Sequence, residues 1–176
     1  DVGALSCAYP APTTNGETIE WDGMYSSDGT TTTLTTGGKT VSSLFWEMNV
    51  ASLDHFDNTE KWVLCRGDDK AATLDALLAR LGLDERERNE MVVYWLRDIS
   101  RHECVAVRSA VIDDVVPLNV TGFEQQLRVF LVMRGVSAEE ADSMAKSGRV
   151  VTPDERLPVV RPTGKFVVEW GATFRC

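Results

Sequence analysis

Two short segments of the chain place a carboxylate beside a large aromatic side chain. They are Trp46-Glu47 and Glu169-Trp170, and each lies in a stretch that predicts a β-strand. Aromatic faces for a sugar ring, with two carboxylates as acid and base, are the groups that sugar recognition or glycoside hydrolysis would use. Tyr94 and Arg128 could complete such a cleft. The candidate ligand-binding residues are Trp46, Glu47, Tyr94, Trp95, Arg128, Glu169 and Trp170.

The same residues also have a structural interpretation. Side chains alternate between the two faces of a strand, so Trp46 and Trp170 could be core aromatics together with Trp95. Glu47 and Glu169 would then point to the opposite face and pair with Arg128 or with other cations. We favour this structural interpretation over a ligand-binding patch, and the patch over a catalytic dyad.

Other motifs that could carry chemistry are incomplete. His102-Glu103-Cys104 could form a metal site with His55 or Cys65, but two lone histidines without an H-E-x-x-H motif predict no metal centre. An acidic region lacks the D-x-D-x-D-G register of a calcium loop; its members are Asp54, Asp57, Asp68 and Asp69. The chain has no G-x-S-x-G elbow, and Gly37-Gly38 before Lys39 predicts a β-turn instead of a phosphate-binding loop. We therefore predict no cofactor and no metal, and we assign no catalytic residue.

Arg66-Gly67-Asp68 spells an integrin-type adhesion triplet. Gly67 would end a strand and Asp68 would cap the following helix, so the pattern favours a tight β-to-α turn over a recognition motif.

Composition excludes two classes of partner. The chain has 176 residues, 43% of them hydrophobic, and 18 Lys+Arg against 27 Asp+Glu give a net charge of −9. Because no basic run or stripe is present, nucleic acid is excluded as a partner. The longest apolar stretches, such as Met91–Leu96, are far shorter than the roughly 20 residues that cross a bilayer, so the chain is not membrane-spanning. A protein or glycan partner stays possible, and the oligomeric state is open.

Two features bear on the cellular compartment. The cysteines are Cys7, Cys65, Cys104 and Cys176, and their spacing matches no zinc or redox motif. They could form two disulfides, with three possible pairings, or they could be buried free thiols. Asn119-Val120-Thr121 is a glycosylation sequon, so Asn119 is a possible glycosylation site if the chain enters a secretory pathway.

The first third of the sequence predicts β structure. Short β-branched and aromatic runs, separated by D-G and G-G turns, are typical of an antiparallel meander. The predicted strands are Leu5–Tyr9, Thr18–Trp21, Thr30–Thr36 and Thr40–Met48.

The rest of the chain predicts helices between further strands. A strand at Lys61–Cys65 precedes a helix capped by Asp68 or Asp69, which ends at Gly82, and a second helix capped by Asp84. Three strands follow, at Val105–Val111, Leu127–Met133 and Lys165–Trp170, and Arg108 of the first is expected to face outward. Ser137 begins a helix between the last two strands. We expect a single α+β domain over residues 1–176, with an antiparallel β-sheet or sandwich and an αα-hairpin packed on it.

Several short blocks of the sequence resemble an uncharacterised domain of bacterial secreted and cell-surface proteins. Leu44-Phe45-Trp46-Glu47 matches the L-F-W-E motif of that family, and Leu127-Arg128-Val129-Phe130 matches its L-R-V-F. Tyr94-Trp95-Leu96 resembles its Y-W-L, and Val167–Gly171 resembles its V-V-E-W-G. Arg97 stands where the family has proline, Ala172 stands where it has a second glycine, and its K-P-V-I-Y-L-Y-P segment is absent.

The resemblance implies an extracellular or surface location and an excised part of a longer protein, but it supplies no mechanism. Our leading hypothesis is a non-catalytic extracellular or surface-associated binding or structural module. The alternatives are a carbohydrate-active hydrolase that uses Glu47 and Glu169, and an intracellular protein-interaction domain in the cytoplasm.

Overall fold

The computed structural model describes residues 5–14, 18–27, 32–49 and 61–175. By its internal contacts the chain divides into two compact units, Asp1–Asp54 and His55–Cys176. Whether the two units behave as one domain stays a prediction. His55, Asp54, Asp57 and Cys176 lie outside the described residues, so the acidic region and any metal site with His55 stay untested.

The described part of the first unit is built from seven short strands. They are β1 (Leu5–Tyr9), β2 (Thr13–Thr14), β3 (Ile19–Glu20), β4 (Gly23–Ser27), β5 (Thr32–Thr36), β6 (Lys39–Val41) and β7 (Phe45–Met48). Strands β4, β5 and β6 form an antiparallel meander, as expected in kind, although β4 lies where no strand was predicted, and β1 pairs antiparallel with β7. The single strand predicted over Thr40–Met48 is wrong in detail, because this segment forms two strands in two different sheets. β6 pairs with β5, and β7 pairs with β1.

Two glycines form the turn between β5 and β6. Gly37 and Gly38 have φ values of +54° and +75°. Positive φ at both central residues is what a two-residue hairpin turn of the right twist requires, so this pair is a β-turn, as expected.

The second unit contains a four-stranded mixed sheet. Its strands are β8 (Val63–Arg66), β9 (Cys104–Ala110), β10 (Gln125–Val136) and β11 (Phe166–Arg175), in the order β11-β10-β9-β8. β8, β9 and β10 pair antiparallel, whereas β11 runs parallel to β10. The sequence did not predict the parallel pair. It is possible because the long connection after β10 returns the chain to the starting end of that strand before β11 begins.

Three helices complete this unit. They are α1 (Lys70–Arg80), α2 (Glu85–Ile99) and α3 (Ala138–Lys146), with short 3-10 turns at Gly67–Asp69 and Pro153–Glu155. Asp84 caps α2, as predicted, and also forms a full capping box with Glu87, while Ser137 caps α3. The side-chain cap predicted for α1 is wrong: Asp69 makes no capping hydrogen bond, because a 3-10 turn leads directly into the helix.

The α1–α2 hairpin packs on one face of the sheet, which we call the hairpin face. Leu74, Leu77 and Leu78 of α1 are completely buried, and Met91 and Ile99 of α2 join the same core. The sheet side of this core comes from alternate residues of all four strands: Val63, Cys65, Val105, Val107, Leu127, Val129, Leu131, Met133, Val168, Trp170, Ala172 and Phe174. An α+β fold with a helical hairpin packed on a sheet is therefore confirmed.

Helix α3 covers part of the other face, which we call the α3 face. Ala141 and Met144 pack there with Cys104, Ala106 and Val136. Arg108 also lies on this face and is only 3% exposed, so the expectation that it faces outward is wrong. Its guanidinium lies 5.2 Å from the centre of the Trp62 ring, which accommodates the charge beside an aromatic face.

Residues 149–161 form a strap that runs from β8 to the α1–α2 turn. At the β8 end, Trp62 N donates to Arg149 O and Val151 N donates to Trp62 O, each at 2.9 Å, and at the other end Val159 N donates to Arg80 O at 2.7 Å. Arg80 also donates to the carbonyl oxygens of Asp154 and Arg156. This strap is thus fastened along its length to both the sheet and the hairpin.

Candidate functional site

The seven candidate ligand-binding residues are divided between the two compact units. Trp46 and Glu47 lie on β7 of the first unit, and the other five lie in the second. Each unit therefore holds its own group of candidates.

In the first unit, Glu47 contacts a thiol and a hydroxyl on the neighbouring strand. Glu47 lies opposite Cys7 in the β1–β7 pair, and Cys7 Sγ donates to Glu47 Oε2 at 3.4 Å. Ser6 Oγ donates to the Glu47 carbonyl oxygen at 3.0 Å. Desolvation, the hydrogen bond and the negative charge of Glu47 raise the pKa of Cys7, so this environment disfavours a thiolate nucleophile.

In the second unit, Arg128 and Glu169 form an ion pair across β10 and β11. The two residues are direct neighbours in the register of the parallel pair, and Arg128 Nε donates to Glu169 Oε2 at 2.6 Å. Arg128 also donates through Nη1 to Val116 O at 2.9 Å and to Asp113 Oδ1 at 3.1 Å. The side chains of Arg128 and Glu169 are 8% and 17% exposed, so the pair is largely shielded from solvent.

Tyr94, Trp95 and Trp170 form an aromatic cluster on the hairpin face. The Tyr94 ring meets Trp95 at 5.2 Å and Trp170 at 6.5 Å between centroids, both edge to face. Trp95 and Trp170 pack against the core, whereas Tyr94 stays 48% exposed. The cluster therefore anchors α2 and leaves one aromatic side chain open to solvent.

The sheet separates the carboxylate from the aromatic cluster. Trp170 packs with the core of the hairpin face, and Glu169, the preceding residue of the same strand, points to the α3 face with Arg128. Geometry thus brings Arg128 to Glu169 and Tyr94 to Trp170, but on opposite faces. Ligand binding by these residues stays a prediction.

Helix α2 runs along β11. Near the start of the strand, Phe166 lies 5.0 Å from the guanidinium of Arg161, which binds Glu87 in the first turn of α2. In the middle, Trp170 meets Tyr94, and Phe174 near the end stacks on His102, just after the helix. Phe166, Trp170 and Phe174, four residues apart on β11, thus contact an arginine bound to the first turn of α2, a residue within α2 and a residue just beyond its end.

Arg161 is a key contact residue that the sequence pattern did not indicate. It binds both carboxylate oxygens of Glu87, at 2.6 and 2.8 Å, and also Asp84 Oδ2 at 3.1 Å and Gly82 O at 2.9 Å. The hydrogen bond with Glu87 raises the pKa of Arg161. The capping box of α2 is visible in the sequence, but its arginine partner lies 74 residues from Glu87, beyond any local pattern.

The side chains of His102, Glu103 and Cys104 have three separate environments. The His102 ring stacks on Phe174 with centroids 5.1 Å apart, Glu103 accepts a hydrogen bond from Ala138 N, and Cys104 is buried on the α3 face. Within residues 5–14, 18–27, 32–49 and 61–175, no group of three or more His, Cys, Asp or Glu side chains could hold a metal ion.

The three cysteines that the structure describes are free thiols. Cys7 is exposed, and Cys65 and Cys104 are buried. Cys65 and Cys104 lie on neighbouring strands but belong to the cores of opposite faces, so they cannot bond to each other. Burial raises the pKa of Cys65 to about 12.

Two sequence motifs have clear structural positions. Arg66-Gly67-Asp68 forms the expected β-to-α turn, where Gly67 has φ +54° and Arg66 Nη1 contacts Asp142 Oδ1 at 2.7 Å. This contact lowers the pKa of Asp142 through its hydrogen bond and charge. Asn119 is exposed in the loop between β9 and β10, so the sequon is accessible.

None of the helices in the described ranges is long and apolar enough to cross a membrane. No protein-family model, no curated protein and no solved structure matches the chain.

Proposed function

We propose that the chain is a non-catalytic module that works outside the cell or at its surface, where it binds a protein or glycan partner or has a structural role. The Arg128–Glu169 pair carries this proposal. A general acid or nucleophile must reach its substrate, but the Glu169 carboxylate is 17% exposed and bound to an arginine at 2.6 Å. The carboxylate instead joins β11 to β10 through this arginine.

The exposed side of α2 supports a binding role. Val93, Tyr94 and Leu96 are large side chains on one helix, and they are 62%, 48% and 41% exposed. Neighbouring exposed apolar side chains commonly mark a contact surface. The extracellular assignment is supported by the resemblance to secreted proteins and by the accessible sequon at Asn119.

A hydrolysis assay tests the non-catalytic assignment against the hydrolase alternative. The wild-type protein and the variants Glu47→Gln and Glu169→Gln are incubated with soluble polysaccharides and nitrophenyl glycosides, and released sugar is measured. We expect the three proteins to release equally little. Turnover by the wild-type protein that both variants lose, with unchanged circular dichroism, would overturn the proposal.

An intracellular protein-interaction domain is the second candidate, favoured by the free, buried thiols of Cys65 and Cys104. Intact mass spectrometry of the protein from its natural source separates the two locations. A glycan mass on the peptide that contains Asn119 supports the extracellular module. An unmodified mass with all four thiols titratable after unfolding supports the intracellular domain instead.

A further inference from the structure

Strand β11 forms one side of the four-stranded sheet. Among the described residues it has a single neighbouring strand, β10, with which it pairs from Phe166 to Arg175. Ten residues of strand extend over about 33 Å. The sheet therefore ends in a long, regular edge.

This edge lacks the features with which proteins usually prevent further pairing. Phe166–Arg175 contains no proline and no lysine, and its register with β10 is continuous, without a bulge. Its two charged residues are Glu169, which is held by Arg128, and Arg175 at the end of the strand. Such an edge can accept another strand.

The sequence of β11 is complementary to itself when it is paired antiparallel about Ala172. Opposite charges then face each other, and so do aromatic rings, and both kinds of cross-strand pair are stabilising. The small Ala172 lies at the centre opposite its own copy and leaves room for the rings on the same face. The cross-strand pairs are Glu169 with Arg175, Trp170 with Phe174, and Gly171 with Thr173, each formed twice.

Charge selects this register over its neighbours. A two-fold axis through Glu169 would place two carboxylates opposite each other, and an axis through Trp170 would place Lys165 opposite Arg175. An axis through Gly171 would place Arg175 opposite Val167. Like charges directly opposite are destabilising, so the axis through Ala172 has the best electrostatic match.

The aromatic cluster provides a partial cover for an added strand. Tyr94 is 48% exposed and stands edge-on to Trp170, at the side of β11 where α2 runs along the strand. A copy of Phe174 placed opposite Trp170 would lie on the hairpin face, within reach of Tyr94. This contact would cover apolar surface that the single chain leaves open.

From this geometry we propose that two copies of the chain associate through β11, antiparallel about Ala172. Each copy contributes its four strands to one continuous sheet. The proposed function does not require this association, so each can fail without the other: a hydrolase could still form the dimer, and a monomer could still be a non-catalytic module.

Light scattering during gel filtration tests the association. The wild-type protein at about 100 µM is expected to have twice its chain mass of 19.5 kDa. Arg175→Glu places two carboxylates opposite each other at both ends of the ladder and is expected to raise the dissociation constant at least about tenfold. The matched control is Arg149→Glu, an equal charge change beside β8 at the other side of the sheet, which is expected to leave the mass unchanged.

A cross-linking variant tests the register. Ala172→Cys places two thiols opposite each other across the two-fold axis, within the range of Cα separations that a disulfide spans. In a background that carries Cys7→Ser and Cys176→Ser, mild oxidation of Ala172→Cys is expected to give a covalent dimer, whereas the background alone and Thr173→Cys within it, oxidised in parallel, should give far less. A monomeric wild-type protein, a dimer equally sensitive to Arg149→Glu, or no preference for position 172 would overturn the proposal.

Discussion

Arg128 and Glu169 are opposite neighbours on β10 and β11, and their side chains meet at 2.6 Å on the α3 face, while Trp170 packs on the hairpin face. Two adjacent residues of β11 thus make contacts on opposite faces of the sheet. The arrangement satisfies a carboxylate that would otherwise be poorly solvated, because a largely buried charge needs a partner.

Removing the arginine should destabilise the fold. Arg128→Met leaves the Glu169 carboxylate largely buried without this partner, which we expect to lower the free energy of unfolding by about 3 kcal/mol. Arg86→Met removes an exposed ion pair with Glu90 and should cost at most about 0.5 kcal/mol. Urea denaturation followed by circular dichroism measures both. Equal losses in the two variants would contradict a special role for the buried pair.

Gly135 should tolerate no side chain. A Cβ at this position would overlap the His102 ring and lie 2.6 Å from its Cε1, so the ring would have to leave Phe174. We expect Gly135→Ala to cost about 1–3 kcal/mol, and we expect His102→Ala to recover part of the loss in the double variant.

Gly171 provides the control for this substitution. A Cβ there would lie 3.6 Å from Phe130, an ordinary van der Waals distance. Gly171→Ala should therefore change the thermal unfolding midpoint much less than Gly135→Ala. A larger effect at Gly171 would show that the His102 contact is not the cause.

The Arg161 contact with α2 should depend on the shape of the guanidinium. Arg161→Lys keeps the charge but loses the two-pronged contact with Glu87, and we expect a loss of about 1–2 kcal/mol. Arg101→Lys, beside exposed Asp98, should be nearly neutral. A double-mutant cycle with Glu87→Gln measures the coupling by urea denaturation. Zero coupling would assign the loss at Arg161 to its other contacts.

Thiol reactivity should follow burial and charge. The reactive species is the thiolate, and at pH 8 a thiol whose pKa is about 12 is almost entirely protonated, so native Cys65 should resist alkylation. Exposed Cys7 should react, and Glu47→Gln should speed its alkylation, because losing the carboxylate lowers the raised pKa of Cys7. Peptide mass spectrometry after timed iodoacetamide treatment gives both rates. Faster labelling of Cys65 than of Cys7 would contradict the structure.

Local patterns in the sequence were enough for most of the elements. The leucines of α1 follow a helical period, Asp84 and Glu87 form a capping box, and Gly37-Gly38 forms a hairpin turn, all of which depend on residues close in the chain. The α+β class with a helical hairpin on a sheet follows from these elements, since an amphipathic hairpin must bury its apolar side against another layer.

The tertiary structure decided which faces and partners these elements use. The parallel pairing of β11 with β10, the burial of Arg108 and the contact of Arg161 with Glu87 all join residues far apart in the chain. Strand periodicity places Glu169 and Trp170 on opposite sides, but only packing shows that Arg128 binds the first and α2 covers the second. These choices depend on long-range packing and charge pairing, which residue spacing along the chain does not encode.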